Sequence, residues 1–126
     1  LTAFPGASKL IQASLVTYTN KAKEELLGIS KDELKRHGAV SAFCARRMAK
    51  EAALRHGASL GLSLTGLAGP GASNENQELG TVFIGFYDGV RASAKRYHFI
   101  GDRSRIRRLA EQRALFMLWT HLKGLG

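Results

Sequence analysis

Residues 81–99, TVFIGFYDGVRASAKRYHF, leave few options for the fold. Strand-type residues, β-branched, aromatic and in part alternating, flank Asp88-Gly89, the strongest short-range signal for a tight hairpin. Two strands joined this way are antiparallel neighbours in a sheet. The rest of the chain must supply further strands and the layers that cover them.

The remaining punctuation does so. Residues 11–18, IQASLVTY in a run with no breaker, read as a first strand. Asn20 is a good N-cap for the short helix KAKEELLG, closed by Gly28. Ser30 with Glu33 forms a capping box for KDELKRHG, which ends at His37-Gly38. Ser41 starts the helix AFCARRMAKEAALRHG, whose Phe43, Met48, Ala49, Ala52 and Ala53 make one apolar face and which runs to Gly57. ASLGLSLTG is a second strand feeding the long loop GLAGPGASNENQELG. GDRSRIRRLAEQRALFMLWTHLKG is a long final helix with Gly124 as its stop. Its stretch from Ala114 to Trp119 is apolar nearly all round, which predicts burial against the sheet and a partner subunit. The order strand, helices, strand, hairpin, helix predicts an α/β layered domain in which helices cover a mixed sheet.

Composition narrows the function classes. The 126 residues suit one domain, and 44% apolar content supports a real core. No run approaches the ~20 apolar residues of a membrane span, so no membrane partner is expected. The single cysteine, Cys44, cannot form an internal disulfide, which favours a reducing compartment such as the cytoplasm. Cys44 reads as a packing residue, because no helix N-terminus or paired base is evident to lower its pKa. A formal charge of +9 attracts anions. Most aromatics lie inside apolar runs rather than among exposed basic residues, so a small anion is expected ahead of nucleic acid. The opening LTAFPGASKL reads as the tail of a helix or loop followed by a turn at Pro5-Gly6. The chain is therefore expected to start partway through its own fold.

Three stretches carry candidate chemistry. TGLAGPG, Thr65 to Gly71, follows a strand, and Gly66, Gly69 and Gly71 leave backbone N–H groups uncovered. Such a loop cradles a phosphate or carboxylate, or is a plain surface loop; its spacing is neither a Walker loop nor a dinucleotide fingerprint. GDRSRIRR, Gly101 to Arg108, puts arginine at a helix mouth, where the dipole favours acids. Arg103 there is an anion clamp or part of a solvated basic face. In VTYTNKAK, Tyr18, Asn20 and Lys23 gather where a strand ends and a helix begins. A lysine desolvated in a cleft sheds its proton readily and acts as a base. A tyrosine beside it relays a proton or holds an oxyanion. The plain alternative is an exposed lysine next to a half-buried tyrosine. Nothing near the pair in sequence supplies a nucleophile.

Taken in order, Tyr-x-Asn-x-x-Lys (Tyr18, Asn20, Lys23), His-Gly-Ala-Val-Ser (His37 to Ser41), Thr-Gly-x-x-Gly-Pro-Gly (Thr65 to Gly71) and Gly-Asp-Arg (Gly101 to Arg103) resemble the C-terminal domain of the CinA family, also known as nicotinamide-nucleotide amidase. The likeness runs from Pro5 to about Leu118. It implies a layered α/β/α sandwich and a metal-free, cofactor-free serine–lysine amidohydrolase. Such an enzyme converts nicotinamide mononucleotide to nicotinate mononucleotide and ammonia in pyridine-nucleotide recycling.

Carried over, Lys23 falls on the general base and Tyr18 on the assisting tyrosine. Asn20, Thr65, Gly66, Gly69, Pro70 and Gly71 fall on the substrate side, and Arg103 on the candidate phosphate ligand. The family's nucleophile loop, Ser-x-Thr-Gly-Gly, precedes the match to Pro5-Gly6. The serine and the opening strand are thus expected upstream of Leu1, making residues 1–126 an incomplete single domain without turnover of its own. The competing reading is an inactive nucleotide-binding module. Family members are often dimers, and long members carry a further N-terminal domain that handles ADP-ribose.

Overall fold

The computed structural model describes residues 13–17, 19–67 and 78–125. Its elements are α1 (Asn20–Leu27), α2 (Lys31–His37), α3 (Ala42–Arg55), β1 (Gly61–Gly66), β2 (Thr81–Tyr87), β3 (Ala92–His98) and α4 (Arg103–Leu125). The α/β class read from the sequence is what the chain adopts.

The helix boundaries follow local chemistry. Gly28, at φ 68°, closes α1 in the left-handed conformation and donates its N–H to the Glu24 carbonyl at 3.0 Å. The capping box of α2 is present: Ser30 Oγ accepts from Glu33 N–H, and Glu33 Oε1 accepts from Ser30 N–H, both at 3.1 Å. Ser41 caps α3 by accepting from the Cys44 N–H at 3.1 Å. Asp102 Oδ1 accepts from the Arg105 N–H at 2.8 Å and starts α4.

Three local features depart from the sequence pattern. The N-cap of α1 is Thr19, whose hydroxyl accepts from the Ala22 N–H at 3.1 Å. Asn20 is the first helical residue instead; two good capping types stand side by side, and the earlier one wins. The expected first strand shows no regular structure over residues 13–17, its other positions lying outside the described residues. There the Thr17 carbonyl is spent on the Lys23 ammonium at 2.7 Å rather than on a strand ladder. Gly124 does not stop α4, which runs to Leu125.

The sheet has the order β1-β2-β3. Both described pairings are antiparallel, where a mixed sheet was expected. The hairpin forms as expected: Tyr87 faces Ala92 across the turn, Gly89 takes φ 100°, and Asp88 Oδ1 accepts from the Val90 and Arg91 N–H groups at 2.8 and 2.7 Å. Those two N–H groups hold the Asp88 carboxyl below its ordinary pKa.

Helices cover both faces of this sheet. On one side Ile106, Ala110 and Ala114 of α4 bury Val82 and Ile84. Fully burying side chains such as Ile84 and Ile106 contributes roughly 1.5–3 kcal/mol each. On the other side α3 lies unusually close, through a stripe of Ala45, Ala49 and Ala53, each at most 1% exposed. The strands meet it with glycines. A Cβ built on Gly85 would stand 2.1 Å from the Ala45 carbonyl oxygen, and one on Gly61 would stand 2.0 Å from that of Ala49. Ser63 Oγ donates to the Ala45 carbonyl at 2.6 Å across the same seam. Outside α3, Leu27, Ile29 and Leu34 pack on Cys44 and Met48, adding α1 and α2 as a further layer.

The final helix departs from its expected burial. Ala114 is buried, but Leu115, Phe116, Trp119 and Leu122 are 39, 55, 55 and 49% exposed. The three described strands leave these side chains of α4 uncovered.

Candidate functional site

Register brings several element ends to one end of the sheet. Gly66 at the close of β1 faces Val82, and Thr81 at the start of β2 faces His98 at the close of β3. The chain leaving His98 turns at Gly101 into α4, so Arg103 rises from this same end. The N-terminus of α3 arrives there too, since Ala45 packs with Leu67 and Phe83. Ala49 and Ala53 pack instead with Tyr87 toward the far end.

The glycine loop beyond Gly66 has fixed stems. Leu67 N–H donates to the Thr81 carbonyl at 3.0 Å, and Gly80 N–H donates to the Leu67 carbonyl at 2.6 Å. Gly80 has φ 92°, and an added Cβ would stand 2.2 Å from the Phe99 carbonyl oxygen. Thr65 is buried, and its hydroxyl donates to the Ala39 carbonyl at 2.7 Å. This bond ties the strand end to the segment between α2 and α3.

That segment leads on to Lys23. Ser41 Oγ donates to the Gly38 carbonyl at 2.8 Å and caps α3, which sets Cys44 against Leu27 and Ile29 around the α1 C-terminus. Lys23, one helical turn before Leu27, is only 7% exposed. Its Nζ donates to the Thr17 carbonyl at 2.7 Å, one of the three bonds an ammonium can donate. No carboxylate pairs with it among the described residues. Burial therefore pushes the Lys23 ammonium below its ordinary value of 10.5, and nearby Cys44 opposes this. Burial pushes the Cys44 thiol up, with Lys23 and Arg47 opposing. Cys44 does stand in the first turn of α3, after the Ser41 cap, but burial outweighs that position, and a protonated, fully enclosed thiol is the packing residue expected.

Of the residues singled out in the sequence, Lys23 and Thr65 thus sit on either side of the 39–44 segment, with Gly66 at the adjoining strand end. Asn20 is exposed on α1. Arg103 is exposed at the same end of the sheet but on the α4 side. Tyr18, Gly69, Pro70 and Gly71 lie outside the described residues. Sequence reasoning missed Thr81, which is fully buried with a hydroxyl that has no hydrogen-bond partner among the described residues. A threonine opening a strand is ordinary β chemistry, and no pattern marked it. Among the described residues no three His, Cys, Asp or Glu side chains gather as metal ligands would, and no helix is long and apolar enough to cross a membrane.

Comparison with known proteins agrees with this architecture. The chain is 45% identical over 115 residues to a CinA-like protein of Geobacter metallireducens, covering 91% of this chain and 28% of that protein. It is 44% identical over 123 residues to a CinA-like protein of Syntrophus aciditrophicus, covering 97% and 29%. The chain thus spans less than a third of the length of these relatives. A crystal structure of a competence-damaged protein (CinA) superfamily protein from Escherichia coli superposes with a TM-score of 0.79 at 33% identity, covering 82% of this chain and 60% of that one. The sequence profile of the CinA C-terminal domain matches residues 1–122, and the chain belongs to that family.

Proposed function

We propose that this domain forms part of an amidohydrolase that converts nicotinamide mononucleotide to nicotinate mononucleotide and ammonia, with Lys23 as general base. The carrying observation is the state of Lys23: an ammonium 7% exposed, without a carboxylate partner among the described residues, and held below its ordinary pKa by burial. Such an amine is neutral in a larger share of molecules near neutral pH and accepts a proton from a hydroxyl nucleophile.

On this reading a serine from outside residues 1–126 attacks the carboxamide carbon and passes its proton to the Lys23 amine. The resulting ammonium returns a proton to the departing nitrogen, which leaves as ammonia. Water then attacks the acyl-serine carbonyl, delivers a proton through Lys23, and releases the carboxylate and the free serine. Tyr18 steadies the oxyanion beside the nucleophile, and the Thr65–Gly71 segment and Asn20 line the nucleotide's path. Arg103 meets the phosphate. The lone buried Cys44 fits a reducing compartment such as the cytoplasm. The exposed apolar flank of α4 fits a self-associated enzyme, a dimer being the simplest case.

A binding module without chemistry is the second reading. It is favoured by the described contacts of Lys23, whose Nζ meets the Thr17 carbonyl and, among the described residues, no hydroxyl nucleophile. Ammonia release from nicotinamide mononucleotide by the full-length gene product separates the two. Release supports the amidase; nucleotide binding without release leaves only the binding module.

Arg103 offers a sharper test of the phosphate side. Arg103→Ala should raise the Michaelis constant at least about tenfold with turnover changed far less, as expected when binding shared by ground and transition states is lost. An unchanged Michaelis constant would remove Arg103 from the phosphate site.

A further inference from the structure

We propose that the face of α3 bordering β3 binds single-stranded nucleic acid, at a surface separate from the Lys23 site. A shallow, open groove of about 360 Å³ lies there, lined by Phe43, Arg46, Arg47, Lys50 and Ala92. Arg47 is engaged by Glu33 and lies 3.9 Å from Glu51. Arg46 and Lys50 are different. They stand one helical turn apart, a like-charge spacing that destabilises a helix, and neither has an acidic partner among the described residues.

The sheet extends the row of cations. Arg96 faces Phe83 in the register, which puts it on the same side of the sheet as Ala92 and Ala94, facing α3. At about 3.4 Å per strand residue, Arg96 extends the row roughly 14 Å along β3 from Ala92 at the groove. One phosphate needs far less. A row of that length matches several successive phosphates of a polymer, and the chain's +9 charge adds long-range attraction.

An aromatic platform completes the surface. The His37 ring stacks on Phe43 with centroids 3.9 Å apart and planes 16° from parallel. His37 is exposed, so its outer face is open to a base. A cationic track with an exposed ring beside it is how single strands are held without sequence preference. Phe43 sits inside an apolar helix pattern in the sequence, which is why the aromatics argued against nucleic acid there. Folding brings it to the rim of the groove. A mononucleotide suits the groove poorly, because small-ligand pockets enclose most of their ligand.

The test is fluorescence anisotropy of a labelled, mixed-sequence single-stranded oligonucleotide with the full-length gene product. Binding should weaken as salt rises. The pair Arg46→Glu with Lys50→Glu should weaken it at least about tenfold. Arg107→Glu with Arg108→Glu, the same charge change on exposed positions of α4, should weaken it less than about threefold. His37→Ala should weaken the single strand but leave a duplex of the same sequence unaffected. Should the α3 pair melt early, Lys50→Glu alone at its exposed site is read in its place. No binding, equal loss from both pairs, or a duplex held as tightly as the single strand would overturn the proposal.

Discussion

Lys23→Met in the full-length gene product should lower ammonia release from nicotinamide mononucleotide at least about a hundredfold, the scale of a lost general base. Methionine keeps the length and most of the volume of the lysine stem in a site only 7% exposed, while removing the ammonium. The fold should survive. The Thr17 carbonyl loses its donor, costing about 1–3 kcal/mol, while removing a buried, carboxylate-free charge offsets part of that. A loss of less than tenfold, about 1.4 kcal/mol of barrier, would show that Lys23 is not the base.

The same substitution reports on pH dependence. Because the folded-state pKa of Lys23 lies below its ordinary 10.5, the unfolded chain binds more protons between those two values. Below the folded-state pKa the full penalty for burying the ammonium is present, and it disappears as pH rises toward 10.5. Wild type should therefore gain stability relative to Lys23→Met across the alkaline range. Turnover should rise with pH through the depressed pKa as the neutral amine becomes available. Urea unfolding of both proteins at neutral and alkaline pH checks the first, and a pH–rate profile the second.

The second large effect belongs to the α3 seam. Gly85→Ala should destabilise the domain by about 3 kcal/mol or more, at the upper end for overpacked cores. The new methyl would stand 2.1 Å from the Ala45 carbonyl oxygen and 2.4 Å from Ser63 Oγ. The helix cannot retreat locally, because Gly61 holds the Ala49 carbonyl just as closely one turn on. Gly57→Ala is the matched control: its φ of 65° makes the alanine strained, but nothing lies within 4 Å of the new atom. It should cost about 1 kcal/mol. Urea midpoints rank the two, and a Gly85→Ala loss no larger than that of Gly57→Ala would contradict the close-packed seam.

Features written by local chemistry were legible in the sequence. Asp88-Gly89, the Ser30/Glu33 box, Ser41 and Gly28 each act within a few residues, and each appears where the sequence puts it. Features decided by distant partners were not. Residues 11–18 have strand-like composition, yet composition cannot say that the Thr17 carbonyl would be taken by Lys23. Thr19 and Asn20 are equivalent as caps on paper, and only the backbone path separates them. The apolar end of α4 reads as buried because the sequence does not reveal how much sheet there is to cover it.

At the candidate site, Lys23 was legible as a residue type at a strand–helix junction. Its burial was not, since enclosure comes from α3 through Cys44 and from the loop before α1. Thr65 was visible as the head of a glycine turn, whereas its bond to the Ala39 carbonyl depends on a contact far along the chain. Thr81 left no trace at all.

The most direct measurement is the titration of Lys23 itself, followed by the nitrogen-15 chemical shift of its side-chain Nζ in the full-length product, with Lys23→Met identifying the resonance. A midpoint clearly below 10.5 is the expected result, and it would establish a proton-accepting amine held in a dry setting. A midpoint at or above 10.5 would mean a lysine that stays charged and solvated, and the general-base account would be contradicted.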